Sequence, residues 1–176
     1  DKQPQHQIPS YNIDQHYSPG DIVCSNYEVK LKLGQGGMGE VYLVEDTSNG
    51  KLCAAKVVRT RSSASAADLV GFRQEVSALL QVGTHPFIVR FLNLHEHARD
   101  TVLIMEYVAP SSGCTTARDY IIQTQDYTDK VLGMWAVQFC VGIEHAIKCG
   151  LEVHRDIKPD NLLIESGVFL KIADFG

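Results

Sequence analysis

Apolar and polar residues alternate strictly from Tyr27 to Leu33, with Tyr27, Val29, Leu31 and Leu33 on one side and Glu28, Lys30 and Lys32 on the other. A period of two predicts a half-buried strand. The run Gly34-Gln35-Gly36-Gly37-Met38-Gly39 interrupts it, and Val41 to Val44 and Leu52 to Val58 read as further strands separated by Thr47-Ser48-Asn49-Gly50. The glycines therefore lead from strand to strand and form the tip of a hairpin in an antiparallel meander. From Ser65 to Val82 the spacing becomes helical, with Phe72, Val76, Leu79 and Leu80 as one stripe and Gly83 and Pro86 ending it. Strand-like runs near Ile88 to Leu94 and Thr101 to Val108 complete a small sheet with one helix.

The stretch from Asp129 to Cys149 behaves differently. Val131, Leu132, Met134, Trp135, Val137, Phe139, Val141, Ile143, Ala146 and Ile147 leave apolar residues on almost every face. A helix apolar all round requires neighbours all round, yet only loops and short strands follow it. The expectation is an α+β fold in three regions: a flexible polar leader over 1–20, a sheet-and-helix lobe over 21–108, and an incomplete, mainly helical lobe over 109–176. The leader is rich in Gln, His, Pro and Ser, too polar to offset the entropy of ordering. Residues 1–176 by themselves are expected to be a poor globule and a poor catalyst.

With 176 residues, 44% hydrophobic and 21% charged, the chain has the composition of a globular protein. A net charge of −5 without any basic cluster argues against nucleic acid as a partner. The cysteines at 24, 53, 114, 140 and 149 follow no metal-type spacing. Cys53 and Cys140 sit among apolar neighbours, as small core hydrophobes do, and a cytoplasmic, reducing setting is expected. No apolar run is long enough to cross a membrane as a helix, and no leader precedes a cleavage site.

Three features carry candidate chemistry. A hairpin tip with Gly34, Gly36 and Gly39 can lay backbone N–H groups over phosphates, although a flexible tight turn would look the same. Lys56 lies inside an apolar strand and Glu75 on the apolar face of its helix, and each charge is costly there unless the two meet. Paired, they would aim Lys56 at phosphate oxygens. The strongest signal is His154-Arg155-Asp156-Ile157-Lys158-Pro159-Asp160-Asn161 followed by Asp174-Phe175-Gly176. These loops supply two ligands of the kind that bind magnesium, one candidate base and one lysine, the equipment for moving a phosphoryl group.

In this order the motifs resemble those of the eukaryotic-type (Hanks-type) Ser/Thr protein kinases, in a bacterial-like wording, from about Tyr27 to Gly176. The glycine loop with Val41 matches GxGxxGxV, Cys53-Ala54-Ala55-Lys56 matches VAIK loosely, and HRDIKPDN and DFG match in full. The resemblance implies a kinase-like fold, ATP and Mg2+ as cofactors, and phosphoryl transfer to Ser/Thr hydroxyls of a protein substrate. It implies that Asp156 accepts the hydroxyl proton, Lys158 steadies the transferring phosphate, Lys56 and Glu75 form the phosphate-directed pair, and Asn161 and Asp174 bind the metal. Nucleotide contacts are implied for Gly34, Gly36, Gly37, Gly39, Val41, Ala54, Lys56 and Leu163, and for Met105, Glu106 and Val108 at the gatekeeper and hinge. Leu79, Phe91, His154 and Phe175 resemble the stacked column that aligns the two lobes.

The chain also departs from the pattern. Ala55 replaces the usual β-branched residue beside Lys56. The segment from Ala109 to Arg118 is longer and more polar than a typical hinge linker, so ribose contacts are not assignable. The activation segment and APE motif do not follow Gly176. Two rival readings are a nucleotide-binding pseudokinase and a small-molecule kinase. The retention of Lys56, Asp156 and Asp174 disfavours the first, and the full IKPDN wording disfavours the second.

Overall fold

Alternating burial shapes the first lobe of the computed structural model, which describes residues 17–36, 39–59, 66–97, 100–110, 113–123, 128–151, 154 and 156–174. Its strands are β1 (Ile22–Val23), β2 (Tyr27–Gly36), β3 (Gly39–Asp46), β4 (Lys51–Arg59), β5 (Phe91–His97) and β6 (Asp100–Glu106). They form one antiparallel sheet in the order β1-β2-β3-β4-β6-β5.

Both faces of this sheet are covered. On one, Tyr42, Val44, Cys53, Ala55, Val57, Val102 and Ile104 pack with Val23, Tyr27 and Val29. On the other, Val58, Leu103 and Met105 join Val76, Leu79 and Val82 of helix α1 (Ala66–Val82). Successive residues of a strand point to opposite faces, so Ala54, Lys56 and Val58 share the α1 side while Cys53, Ala55 and Val57 take the other. Burying each Val, Leu or Ile contributes about 1.5–3 kcal/mol, so the two clusters fix the register firmly.

The last residues of the expected leader are engaged. Tyr17 stacks edge-on against Tyr42 at 5.8 Å, and its hydroxyl donates to Asp100 Oδ2 at 3.0 Å. Residues 1–16 lie outside the described part.

Three details of the sequence reading are corrected. Tyr27 and Val29 are buried, but Leu31 and Leu33 are 46% and 42% exposed. Register shifts between Val29 and Leu31 and between Lys32 and Gly34 break the simple alternation. On α1 the buried residues are Val76, Ala78, Leu79 and Val82, whereas Leu80 is 59% exposed and the Phe72 side chain lies outside the described residues. Leu80 follows Leu79 by about 100° of helical turn, so the two cannot share a narrow stripe. Cys53 is buried as expected, but Cys140 is exposed, on an uncovered face of a later helix.

After β6 the chain forms α2 (Ala117–Gln123), α3 (Asp129–Lys148), a short 3-10 turn at Pro159–Asn161 and the hairpin of β7 (Leu162–Glu165) and β8 (Phe169–Ile172). Thr128 caps the start of α3. Helix α3 buries Trp135, Gln138, Gly142 and Ala146, while Val137, Val141 and Ile147 remain exposed. The all-round apolar character expected of this helix is thus matched by packing on one side only. Residues 87–89 tie the lobes together, because Ile172 N donates to Phe87 O and Val89 N to Ile172 O, both at 2.9 Å.

Candidate active site

A cavity of about 380 Å³ opens between the sheet of the first lobe and the β7–β8 hairpin. Leu33 and Gly34 of β2, Val41 of β3 and Ala54 of β4 form its roof, and Leu163 of β7 and Ala173 its floor. Met105 and Val89 close the back, and Glu106, Tyr107 and Val108 form the edge joining the lobes. A narrow apolar slot with backbone groups along one edge suits a flat heteroaromatic ring.

The slot opens toward charge. Lys56 is buried to 6% exposure, and its Nζ donates to Asp174 Oδ1 at 3.1 Å across 118 residues of sequence. Strand alternation directs Lys56 to the cavity side, and its register opposite Val41 and Leu103 holds it there. Asp174 adopts φ of +53°, a left-handed conformation that costs a non-glycine residue on the order of 1 kcal/mol. Such strain persists only where the surrounding contacts enforce it.

A second polar group lies on the adjoining turn. Lys158 Nζ donates to Asp156 Oδ2 at 2.6 Å, and Asn161 Nδ2 donates to the same oxygen at 2.9 Å and to Asp156 O at 2.9 Å. These bonds, Lys158 first and Asn161 second, lower the Asp156 pKa and keep its carboxylate ionised; Asp156 in turn raises that of Lys158. Pro159 at the first position of the 3-10 turn fixes the bend that brings Asn161 back over Asp156. Ala173 N donates to Asn161 O at 2.9 Å, which joins this turn to the residue before Asp174. His154 is buried beside them, and burial depresses its imidazole pKa.

At the edge, the Glu106 carboxylate accepts from Arg90 N at 2.8 Å and from Lys171 Nζ at 2.9 Å. The acid is thus committed to bracing β6 against residue 90 and β8.

Of the expected site residues, Gly34, Val41, Ala54, Met105, Glu106, Val108, Leu163 and Asp174 line the cavity. Lys56 reaches it through Asp174. Gly36 pairs with Gly39 at the hairpin tip, as the glycine pattern requires. At Gly39, φ is +142° and an added Cβ would fall 2.2 Å from Val57 O, so the position accepts only glycine without displacement. Gly37 and Phe175 lie outside the described residues, as does the Glu75 side chain, so the expected Lys56–Glu75 pair falls outside them too.

Sequence reasoning did not find the front rim, formed by Pro110, Thr115, Thr116, Asp119 and Asp160. Asp119 Oδ2 accepts from Thr115 N at 3.1 Å and Thr116 N at 2.9 Å, while Thr116 Oγ1 accepts from Asp119 N at 3.1 Å. This reciprocal cap starts α2, and the Thr-x-x-Asp spacing was the available signal. Ile164 N donates to Thr115 O at 2.8 Å, hanging the linker on β7.

The apolar slot ends in a lysine, two acids and an amide. The chain belongs to the protein kinase family, whose domain model, "Protein kinase domain", matches residues 27–176. It is similar to the cAMP-dependent protein kinase type 3 of Saccharomyces cerevisiae, 24% identical over 157 residues, covering 89% of this chain and 38% of the relative. It is also similar to the carbon catabolite-derepressing protein kinases of Saccharomyces cerevisiae and Candida tropicalis. The first is 28% identical over 86% of this chain and 23% of the relative. The second is 26% identical over 99% of this chain and 26% of the relative. The chain therefore spans well under half the length of these curated relatives.

Proposed function

We propose that the protein transfers the terminal phosphoryl group of ATP to Ser/Thr hydroxyls of a protein substrate. The observation that carries this reading is the convergence of Lys56, Asp174, Asn161, Lys158 and Asp156 at one end of an apolar slot, drawn from β4, the end of β8 and one turn. The names of the curated relatives support the protein-directed activity, and the pattern Asp156-Ile157-Lys158 supports Ser/Thr rather than Tyr.

Phosphoryl transfer needs little covalent help from a protein, so positioning and charge neutralisation dominate. Val41, Ala54 and Leu163 sandwich the adenine, with the Glu106–Val108 edge beside it. Thr116 and Asp119 at the rim face the sugar. Gly34, Gly36, Gly37 and Gly39 offer backbone N–H groups to the phosphates, Lys56 supplies a cation, and Glu75 holds Lys56 from α1. Asp156 orients the substrate hydroxyl and accepts its proton. Both side-chain bonds to Asp156 fall on Oδ2, so the substrate proton is assigned to Oδ1. Lys158, already in contact with Asp156, sits where charge develops on the transferring group.

The donor set fits Mg2+. Asn161 spends its Nδ2 on Asp156, which leaves its amide oxygen as a donor atom, Asp174 offers a carboxylate, and hard oxygen donors are what Mg2+ takes. Among the described residues no three His, Cys, Asp or Glu side chains form a cage, as suits an ion shared with substrate phosphates. When bound, the ion supplies charge neutralisation at those phosphates.

A cytoplasmic setting is part of the proposal, supported by five cysteines without a disulfide. No helix among the described residues is long and apolar enough to cross a membrane.

Calorimetric titration of the full-length protein with ATP tests the assignment. Mg2+ should strengthen binding in the unmutated protein, and Asp174→Asn should lose most of that gain while keeping metal-free affinity. ATP binding indifferent to both Mg2+ and Asp174 would refute the site.

A further inference from the structure

Strand β8 belongs to a two-stranded hairpin, so its outer edge has no strand of its own sheet to satisfy it. Ile164 donates its N–H outward to Thr115 O rather than to its partner Leu170, so the Ile164–Leu170 pair is not hydrogen-bonded and Leu170 N–H also points outward. Three groups occupy that outer edge. Ile172 N donates to Phe87 O and Ile172 O accepts from Val89 N, both at 2.9 Å, and Leu170 N donates to the side-chain Oε1 of Gln138 at 2.7 Å. A helix side chain thus substitutes for a strand carbonyl. Gln138 is only 6% exposed, and so polar a residue on the buried ridge of α3 is unexpected unless its bond is needed.

One turn further along α3, Gly142 allows the close approach that this bond requires. An added Cβ there would lie 2.8 Å from Ile172 Cδ1 and 3.2 Å from Phe87 O. Leu170 and Ile172 are consecutive outward positions on β8, and Asp174 follows two residues beyond the strand's end, where its φ of +53° breaks the alternation. Ala173 N is fixed to Asn161 O at 2.9 Å. The edge bonds of β8 therefore determine where the strand delivers Asp174 relative to Lys56 and Asn161.

We infer that Gln138, seated by Gly142, is a positioning residue that sets the metal-binding geometry of Asp174 through the edge of β8. The inference rests on the assignment of Asp174 as a metal ligand in the proposed function. It gives α3 a role in phosphate-site chemistry although Gln138 does not line the cavity.

The test uses the full-length protein with ADP as probe, with and without Mg2+. Linkage is reciprocal: if the Gln138–Leu170 bond favours metal binding, metal binding must favour the bond. In the unmutated protein, Mg2+ with ADP should slow hydrogen exchange at the Leu170 amide more than ADP alone. Gln138→Met keeps the length and removes the amide acceptor. It should raise the Mg2+ concentration for half-maximal strengthening of ADP binding by roughly tenfold, the scale of one buried hydrogen bond, while metal-free ADP affinity stays unchanged. Gln138→Glu, which retains an acceptor oxygen, should recover most of the Mg2+ response. An unchanged Mg2+ dependence in Gln138→Met, or an equal loss of metal-free affinity, would overturn the inference. So would Leu170 exchange indifferent to Mg2+ in the unmutated protein, a measurement that stands even where the variant does not fold. Absence of any Mg2+ effect on ADP binding in the unmutated protein would remove the metal assignment and the inference together, whereas an effect that ignores Gln138 removes the inference alone.

Discussion

Lys56 Nζ and Asp174 Oδ1 meet at 3.1 Å, although 118 residues separate them and they stand on opposite lobes. Lys56 is buried while the Asp174 side chain is 41% exposed. The contact is a weak brace, because solvent screens the acid, and a strong organiser, because it joins the two lobes at the site. Lys56→Met should weaken Mg·ATP binding about tenfold or more and leave the unfolding midpoint within a few degrees. Lys56→Arg should not restore binding, since a planar guanidinium does not fit the space of an ammonium. Calorimetry and thermal denaturation on the same samples would check both.

Gly39→Ala should destabilise the first lobe by roughly 1–3 kcal/mol, the usual cost of a forced backbone conformation. Its new Cβ would strike Val57 O, next in sequence to Lys56, so ATP affinity should fall with stability. Denaturant unfolding with and without ATP separates the two effects. Unchanged stability would mean that the hairpin tip can rearrange freely.

Much of this was legible in the sequence for physical reasons. The apolar run from Leu52 to Val58 placed Lys56 inside a strand, and the glycine pattern placed Gly34, Gly36 and Gly39 at a hairpin tip, where Gly36 pairs with Gly39. Periodicity did not reveal the bulges that turn Leu31 and Leu33 outward, because a bulge depends on pairing between strands rather than on one strand's pattern. Leu80 looked apolar enough for the stripe, but helical geometry divides adjacent leucines. The rim residues Thr116 and Asp119 were missed because a capping box reads as polar linker until the helix it starts is recognised. Gln138 gave no signal, since its role depends on an unsatisfied strand edge supplied by Leu170, 32 positions later.

Thiol reactivity should follow burial. Burial first, and the charge of Asp100 second, push the Cys24 pKa up to about 11, and burial raises that of Cys53. Both remain protonated thiols near neutral pH and react slowly. Cys140 is exposed. Iodoacetamide labelling of the native protein at pH 8, read by peptide mass spectrometry, should modify Cys140 well before Cys24 and Cys53. Fast labelling at Cys24 would contradict the packing under β1.

Stability should decline in mild acid through His85. Its ring stacks on that of His145 at 4.5 Å, and its Nδ1 accepts from Phe87 N at 3.2 Å. Burial first and His145 second lower its pKa below the ordinary 6.5. The unfolded chain then binds the proton more readily. The contribution is full above about pH 6.5 and is lost as pH falls through the depressed folded value. His85→Gln should flatten the stability profile across that window in chemical denaturation, and an identical profile would exclude His85 as a source of the acid sensitivity.

The most direct measurement is quantitative transfer of labelled phosphate from Mg·ATP to a Ser/Thr protein substrate by the full-length protein and its Asp156→Asn variant. The substitution keeps size and removes basicity, and a positioned proton acceptor is worth about 10²- to 10⁴-fold. Transfer should fall by that factor while calorimetric ATP affinity stays within about twofold. Near-normal turnover in Asp156→Asn, or no transfer by the unmutated protein to any Ser/Thr substrate, would contradict the account.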